Sequence, residues 1–109
     1  MPRPHHVLTF TDTLTEPALR AQFEALERFL SQQPTQIGLV VDCTAMTAYT
    51  PEARALFVEW HRANRARIHA VGIVTTNTLW HMIVRTMALA SGQTMRPFVE
   101  LERAIAFVS

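Results

Sequence analysis

Lysine is absent from this 109-residue chain, and all ten basic residues are arginine. That absence excludes Schiff-base chemistry, a Walker-type phosphate lysine and the lysine that stands beside a receiver phosphoaspartate. Only two aspartates occur, Asp12 and Asp42, so the acidic cluster needed for receiver-type phosphoryl chemistry is missing too. A single cysteine, Cys43, rules out an internal disulfide and fits a cytoplasmic protein. The three glycines, Gly38, Gly72 and Gly92, are scattered, so none of them builds a phosphate-cradling loop. No apolar run approaches the roughly 20 residues of a membrane span. Met1-Pro2-Arg3-Pro4-His5-His6 lacks the apolar stretch of a signal peptide. A formal net charge of +1 gives no field that would gather nucleic acid or an acidic surface.

What is present is globular in character: 49% hydrophobic residues against 17% charged, too apolar for a disordered chain. A chain of this length can bury roughly two-thirds of its unfolded surface without staples. One domain over residues 1–109 is expected, with residues 1–6 as a flexible N-terminal segment.

The hydrophobic pattern alternates between two periods. Val7 to Phe10 reads as a strand. Thr13, Thr15 and Glu16 offer capping chemistry before Pro17, and Leu19, Phe23, Leu26 and Leu30 follow at helical spacing. Ile37 to Val41 is continuously apolar, as in a strand buried on both faces, and a polar loop is expected from Cys43 to Thr50. Thr50-Pro51-Glu52 starts the next helix, with Ala53, Leu56, Phe57 and Trp60 inward and Glu52, Arg54, Glu59, Arg62 and Arg65 outward. Ile68 to Val74 is a third strand. Thr75 to Thr78 can cap a helix from Leu79 to about Ala90, which Gly92 stops. Met95 to Val99 contains Pro97 and suits an edge strand. Glu100 to Val108 is a last helix. Strands alternating with helices of this length imply an α/β fold with a small, mostly parallel four-stranded sheet. Gly38 and Gly72, inside strands, allow a neighbour to pack closely.

Particular stretches resemble a known family. Leu39-Val40-Val41-Asp42-Cys43-Thr44, the helix from Thr50 to Trp60, the strand Val71 to Val74, and Phe98-Val99-Glu100-Leu101-Glu102-Arg103-Ala104 together are similar to a STAS-type domain. That is the fold of bacterial anti-sigma-factor antagonists and their SEC14-like relatives. The resemblance runs from Thr9 onward and implies a regulatory, non-catalytic protein-interaction module; its SEC14-like side implies a small-molecule or lipid-binding domain instead. Two departures stand out. One strand, rather than two or more, precedes the first helix. Thr50-Pro51-Glu52-Ala53 stands where the antagonists carry a phosphorylatable serine, so their serine switch is not expected here.

Candidate chemistry is sparse. His61, His69 and His81 lie on three separate elements, His61 and His81 on the polar faces of their helices, and no metal-ligand spacing occurs. Cys43 has no histidine placed as its base. No catalytic residue, metal ligand or cofactor is assigned. Arg62, Arg65 and Arg67 suit the end of their helix, where the dipole favours cations, and fall short of a nucleic-acid stripe. Two candidate surfaces remain. Asp42, Thr44, Thr47, Thr50, Thr75, Thr76 and Asn77 fall at the carboxyl ends of two strands, where open parallel sheets bind ligands. They form either a binding edge for a small ligand or plain capping chemistry. The helix from Leu79 is apolar around more than one face. Leu79, Ile83, Thr86 and Ala90 are expected against the sheet, leaving Trp80, Val84 and Met87 with Arg85 as a surface for another protein or a second copy of the chain.

Overall fold

Residues 3–109 are described by a computed structural model. Four strands, β1 (His5–Leu14), β2 (Ile37–Tyr49), β3 (Ile68–Val74) and β4 (Met95–Phe98), alternate with four helices, α1 (Glu16–Leu30), α2 (Pro51–Asn64), α3 (Thr78–Ser91) and α4 (Leu101–Val108). The sheet is parallel throughout in the order β1-β2-β3-β4. A parallel neighbour requires a crossover connection, and such crossovers are right-handed. An order that follows the chain therefore places α1, α2 and α3 on one face. Their apolar residues share a core with Leu8, Phe10, Leu39, Val41, Val71 and Ile73. Helix α4 covers the other face, where Ala104 and Val108 join Val40, Ala70 and Val74.

The helix starts and stops follow local chemistry. The side chains of Thr15, Thr50 and Asn77 cap α1, α2 and α3, and Gly92 closes α3 with φ +71°, a left-handed turn that glycine adopts without a Cβ clash. On α1, Leu19, Phe23, Leu26 and Leu30 are all buried, each contributing about 1.5–3 kcal/mol of transfer free energy. Gly38 and Gly72 lie under α4. A Cβ on Gly38 would lie 2.6 Å from the Val108 Cβ, and one on Gly72 3.0 Å from the Ala104 Cβ. The close helix–sheet approach thus depends on both positions. Strand β4 is a short edge strand carrying Pro97.

Three expectations need correction. His5 and His6 belong to β1 rather than to a flexible segment, and the His6 ring lies 4.7 Å from that of Phe29. Strand β2 continues through Cys43 to Tyr49 where a polar loop was expected. Thr11 to Leu14 of a longer β1 pair with Ala45 to Tyr49 and satisfy its backbone. The pairing shifts register twice, between Thr9 and Thr11 and between Asp12 and Thr13. Asp12 sits at the second shift with φ 54°, a conformation Asp tolerates better than most residues. Bulges of this kind break the two-residue alternation by which a strand is recognised. Third, His61 is fully buried rather than solvated. No helix among the described residues is long and apolar enough to cross a membrane.

Candidate functional site

The polar edge named from the sequence is largely engaged in local bonds. Asp42 Oδ1 accepts from the Thr44 amide (3.0 Å) and from the Thr44 hydroxyl (2.6 Å). Thr50 Oγ1 accepts from the Ala53 amide, and Asn77 Oδ1 from the Leu79 amide. Thr75 is buried; its hydroxyl accepts from the Asn77 amide, and its carbonyl oxygen lies 2.9 Å from His81 Nε2. Asp42 pairs with Val74 across β2 and β3, which places it near Thr75. Thr44 and Thr47 run out along the β2 extension, and Thr47 and Thr76 are exposed. Turn and cap formation accounts for Asp42, Thr44, Thr50, Thr75 and Asn77.

Helix α3 turns a different face to the sheet from the one its sequence suggested. Val84 is 2% exposed and Ser91 is buried, with Trp80, Met87 and Ala88 half-buried. Of the four residues expected against the sheet, Leu79 is 71% exposed and Thr86 and Ala90 are exposed, while Ile83 is half-buried; Met82 and Leu89 are exposed at 69% and 86%. The Trp80–Val84–Met87 flank is therefore packing surface, and the unpartnered apolar stripe is Leu79, Met82 and Leu89. Arg85 is exposed. The physical reason is the position of α2: packing against it and the sheet selects one arc of a helix that is apolar on nearly every side.

Between α2, α3 and the carboxyl ends of the strands lies a cavity of about 60 Å³. Phe10, Val41, Cys43 and Ile73 line it from the sheet, Ala53, Arg54 and Phe57 from α2, and Trp80, Val84 and Met87 from α3. Met46 and Tyr49 come from the β2 extension, with Tyr49 and Trp80 in an edge contact at 5.8 Å between ring centroids. Of the sequence-named residues, Thr75 and the three from α3 contribute to its lining. Cys43, Tyr49 and Arg54 were missed as a group because they lie on two elements and converge only in the folded chain. Arg54, read as an outward residue, is half-buried.

The titratable groups nearby are poorly suited to chemistry. Burial, followed by the adjacent Asp42 charge, pushes the Cys43 thiol up to about 12, so the nucleophilic thiolate is essentially absent at neutral pH. Burial lowers His61 to about 3, and neither of its ring nitrogens has a hydrogen-bond partner among the described residues. No group of three or more His, Cys, Asp or Glu side chains is placed to hold a metal among the described residues. Two of the three arginines at the end of α2, Arg62 and Arg67, make bonds that serve the fold. Arg62 pairs with Glu59 and donates to the Ala90 carbonyl on α3, while Arg67 donates to Asn64 Oδ1.

A parallel four-stranded sheet with α1 to α3 on one face and a closing helix on the other defines a STAS-type domain. The chain belongs to the SpoIIAA-like family, whose model matches residues 6–109. Among solved structures it is similar to an uncharacterised protein of the DUF3478 family, with a SpoIIAA-like fold, from Shewanella loihica PV-4. That similarity has a TM-score of 0.78 at 15% identity and covers 94% of this chain and 82% of the other. At that identity the likeness is one of fold. No curated protein matches the chain.

Proposed function

We propose that this chain is a non-catalytic binding domain whose cavity between α2 and α3 receives a small apolar group. The observation that carries the reading is the cavity itself. It is apolar and sits at the carboxyl ends of parallel strands, where folds of this class hold their ligands. The cavity opens to solvent on one side and its accessible surface is apolar, so an apolar group that enters it leaves water without stranding a polar atom. The weak nucleophile at Cys43 and the absence of a nearby base favour binding over turnover. The test is a titration with 1-hexanol followed by NMR. Saturable shifts confined to the methyls of Met46, Val84 and Met87, with a change in Trp80 fluorescence, are expected. Weak, non-saturating shifts spread over the surface would overturn the reading.

A second reading, association with another protein or with a second copy of the chain, is favoured by the exposed stripe of Leu79, Met82 and Leu89 on α3. Large apolar residues aligned on one helix face are the usual material of an interface core. Size-exclusion chromatography with light scattering, on the wild type and on a Leu79→Ser, Met82→Ser, Leu89→Ser variant, tests self-association. A wild-type monomer at all concentrations would remove the second copy as the partner.

A further inference from the structure

Arg54 lies in the opening turns of α2, where the helix dipole disfavours a cation. It is half-buried, and its aliphatic stem lines a cavity whose accessible surface is wholly apolar. Among the described residues its guanidinium makes no ion pair and no hydrogen bond; Arg28, Arg65 and Arg85 make none either, but they are exposed where Arg54 is not. A second, shallower groove runs over the outer side of α2, lined by Tyr49, Pro51, Arg54, Ala55, Val58 and Glu59. Tyr49 and Arg54 line both spaces, so they stand where the cavity meets the groove. The Tyr49 hydroxyl also has no hydrogen-bond partner among the described residues. The one carboxylate in the groove, Glu59, is engaged by Arg62.

We propose that the ligand is a short amphiphile with an anionic head, a carboxylate or a phosphate monoester, whose head docks on Arg54 and Tyr49 while its chain enters the cavity. The proposal rests on the cavity reading above and names the class of ligand. A guanidinium beside apolar surface is a ready donor to an oxyanion, and the phenol adds a second donor. Size sets the other bound. A cavity of about 60 Å³ is well below the roughly 150 Å³ that admits benzene, so it takes the tip of a linear chain rather than a ring. The rest of the chain spans the opening to the head group.

The experiment compares hexanoate, hexyl phosphate, 1-hexanol and hexylamine on the intact protein, with Kd read from the methyl shifts of Met46 and Met87. One or both anions should bind at least tenfold more tightly than hexanol, and hexylamine more weakly than hexanol. The tighter anion identifies the head group. Arg54→Gln should bring the ratio of anion to hexanol affinity down to about one, whatever it does to hexanol binding itself, while Arg54→Lys keeps part of the preference. Thermal midpoints of both variants confirm that they remain folded. Equal binding of anions and hexanol by the wild type, or equal weakening of both in Arg54→Gln, would overturn the proposal while leaving the cavity reading intact. If no six-carbon probe binds, both fall together.

Discussion

Lowering the pH from 7.5 to 5.0 is expected to destabilise this protein by about 2 kcal/mol through His61 alone. The imidazole is enclosed by aromatic rings, with centroid distances of 4.5 Å to Phe57, 5.1 Å to Trp60 and 6.2 Å to Phe23. Burial alone lowers its pKa from 6.5 to about 3. The unfolded chain takes up a proton as the pH falls through 6.5, while the folded chain holds the ring neutral down to about 3. Stability is therefore complete above the unfolded value and declines across that window at about 1.4 kcal/mol per pH unit. At pH 5.0 the group has traversed about 1.5 units, which gives the figure of about 2 kcal/mol. Against a total of roughly 5–15 kcal/mol for a domain, that is a large loss. In urea denaturation it appears as a midpoint lowered by roughly 1 M, for a slope of about 2 kcal/mol/M. His61→Leu keeps an apolar side chain in the site and removes the titration, so its midpoint should shift much less with pH. At pH 7.5 the variant should match or exceed the wild type, because it also removes ring nitrogens that have no partner. His6, lowered by burial and by neighbouring His5, acts in the same direction, so both proteins are best compared in a His6→Gln background. An equal loss in the wild type and in His61→Leu would refute the assignment of acid sensitivity to His61.

Gly38→Ala forces a Cβ into the Val108 backbone and side chain and should cost about 1–3 kcal/mol, read as a lower thermal midpoint; Gly72→Ala, with more room, should cost less. Trp60 stacks on Phe23 at 4.4 Å and donates to Glu27 Oε1. Its replacement by Ala should cost about 3–5 kcal/mol and leave little folded protein, and an unchanged thermal midpoint would contradict that. Cys43 should resist iodoacetamide in the native state at pH 7.5 and react readily in urea, followed by mass spectrometry, because both burial and its raised pKa suppress the thiolate.

Features set within a few residues of chain were legible from the sequence. Thr15, Thr50 and Asn77 cap their helices through side-chain bonds to amides two or three residues on. Gly92 supplies the left-handed stop, and the alternation of apolar periods fixes the order of strands and helices. Gly38 and Gly72 also announced a close approach, though not that α4 makes it. The extension of β2 was hidden because two register shifts with β1 erase the alternating pattern a strand would show. Helix α3 was ambiguous for a deeper reason. It is apolar on nearly every side, so its periodicity admits several buried faces. Only the location of α2 and the sheet, set by successive crossovers to one side, selects Val84 for the core and leaves Leu79, Met82 and Leu89 outside. The same geometry encloses His61 among three aromatic rings and brings Arg54 of α2, Tyr49 of β2 and Trp80 of α3 to one opening. The sequence determined which elements form, their order and where the helices begin and end; how far β1 and β2 run together, which faces meet, and hence the cavity they enclose, depend on contacts between residues far apart in the chain, which no local pattern encodes.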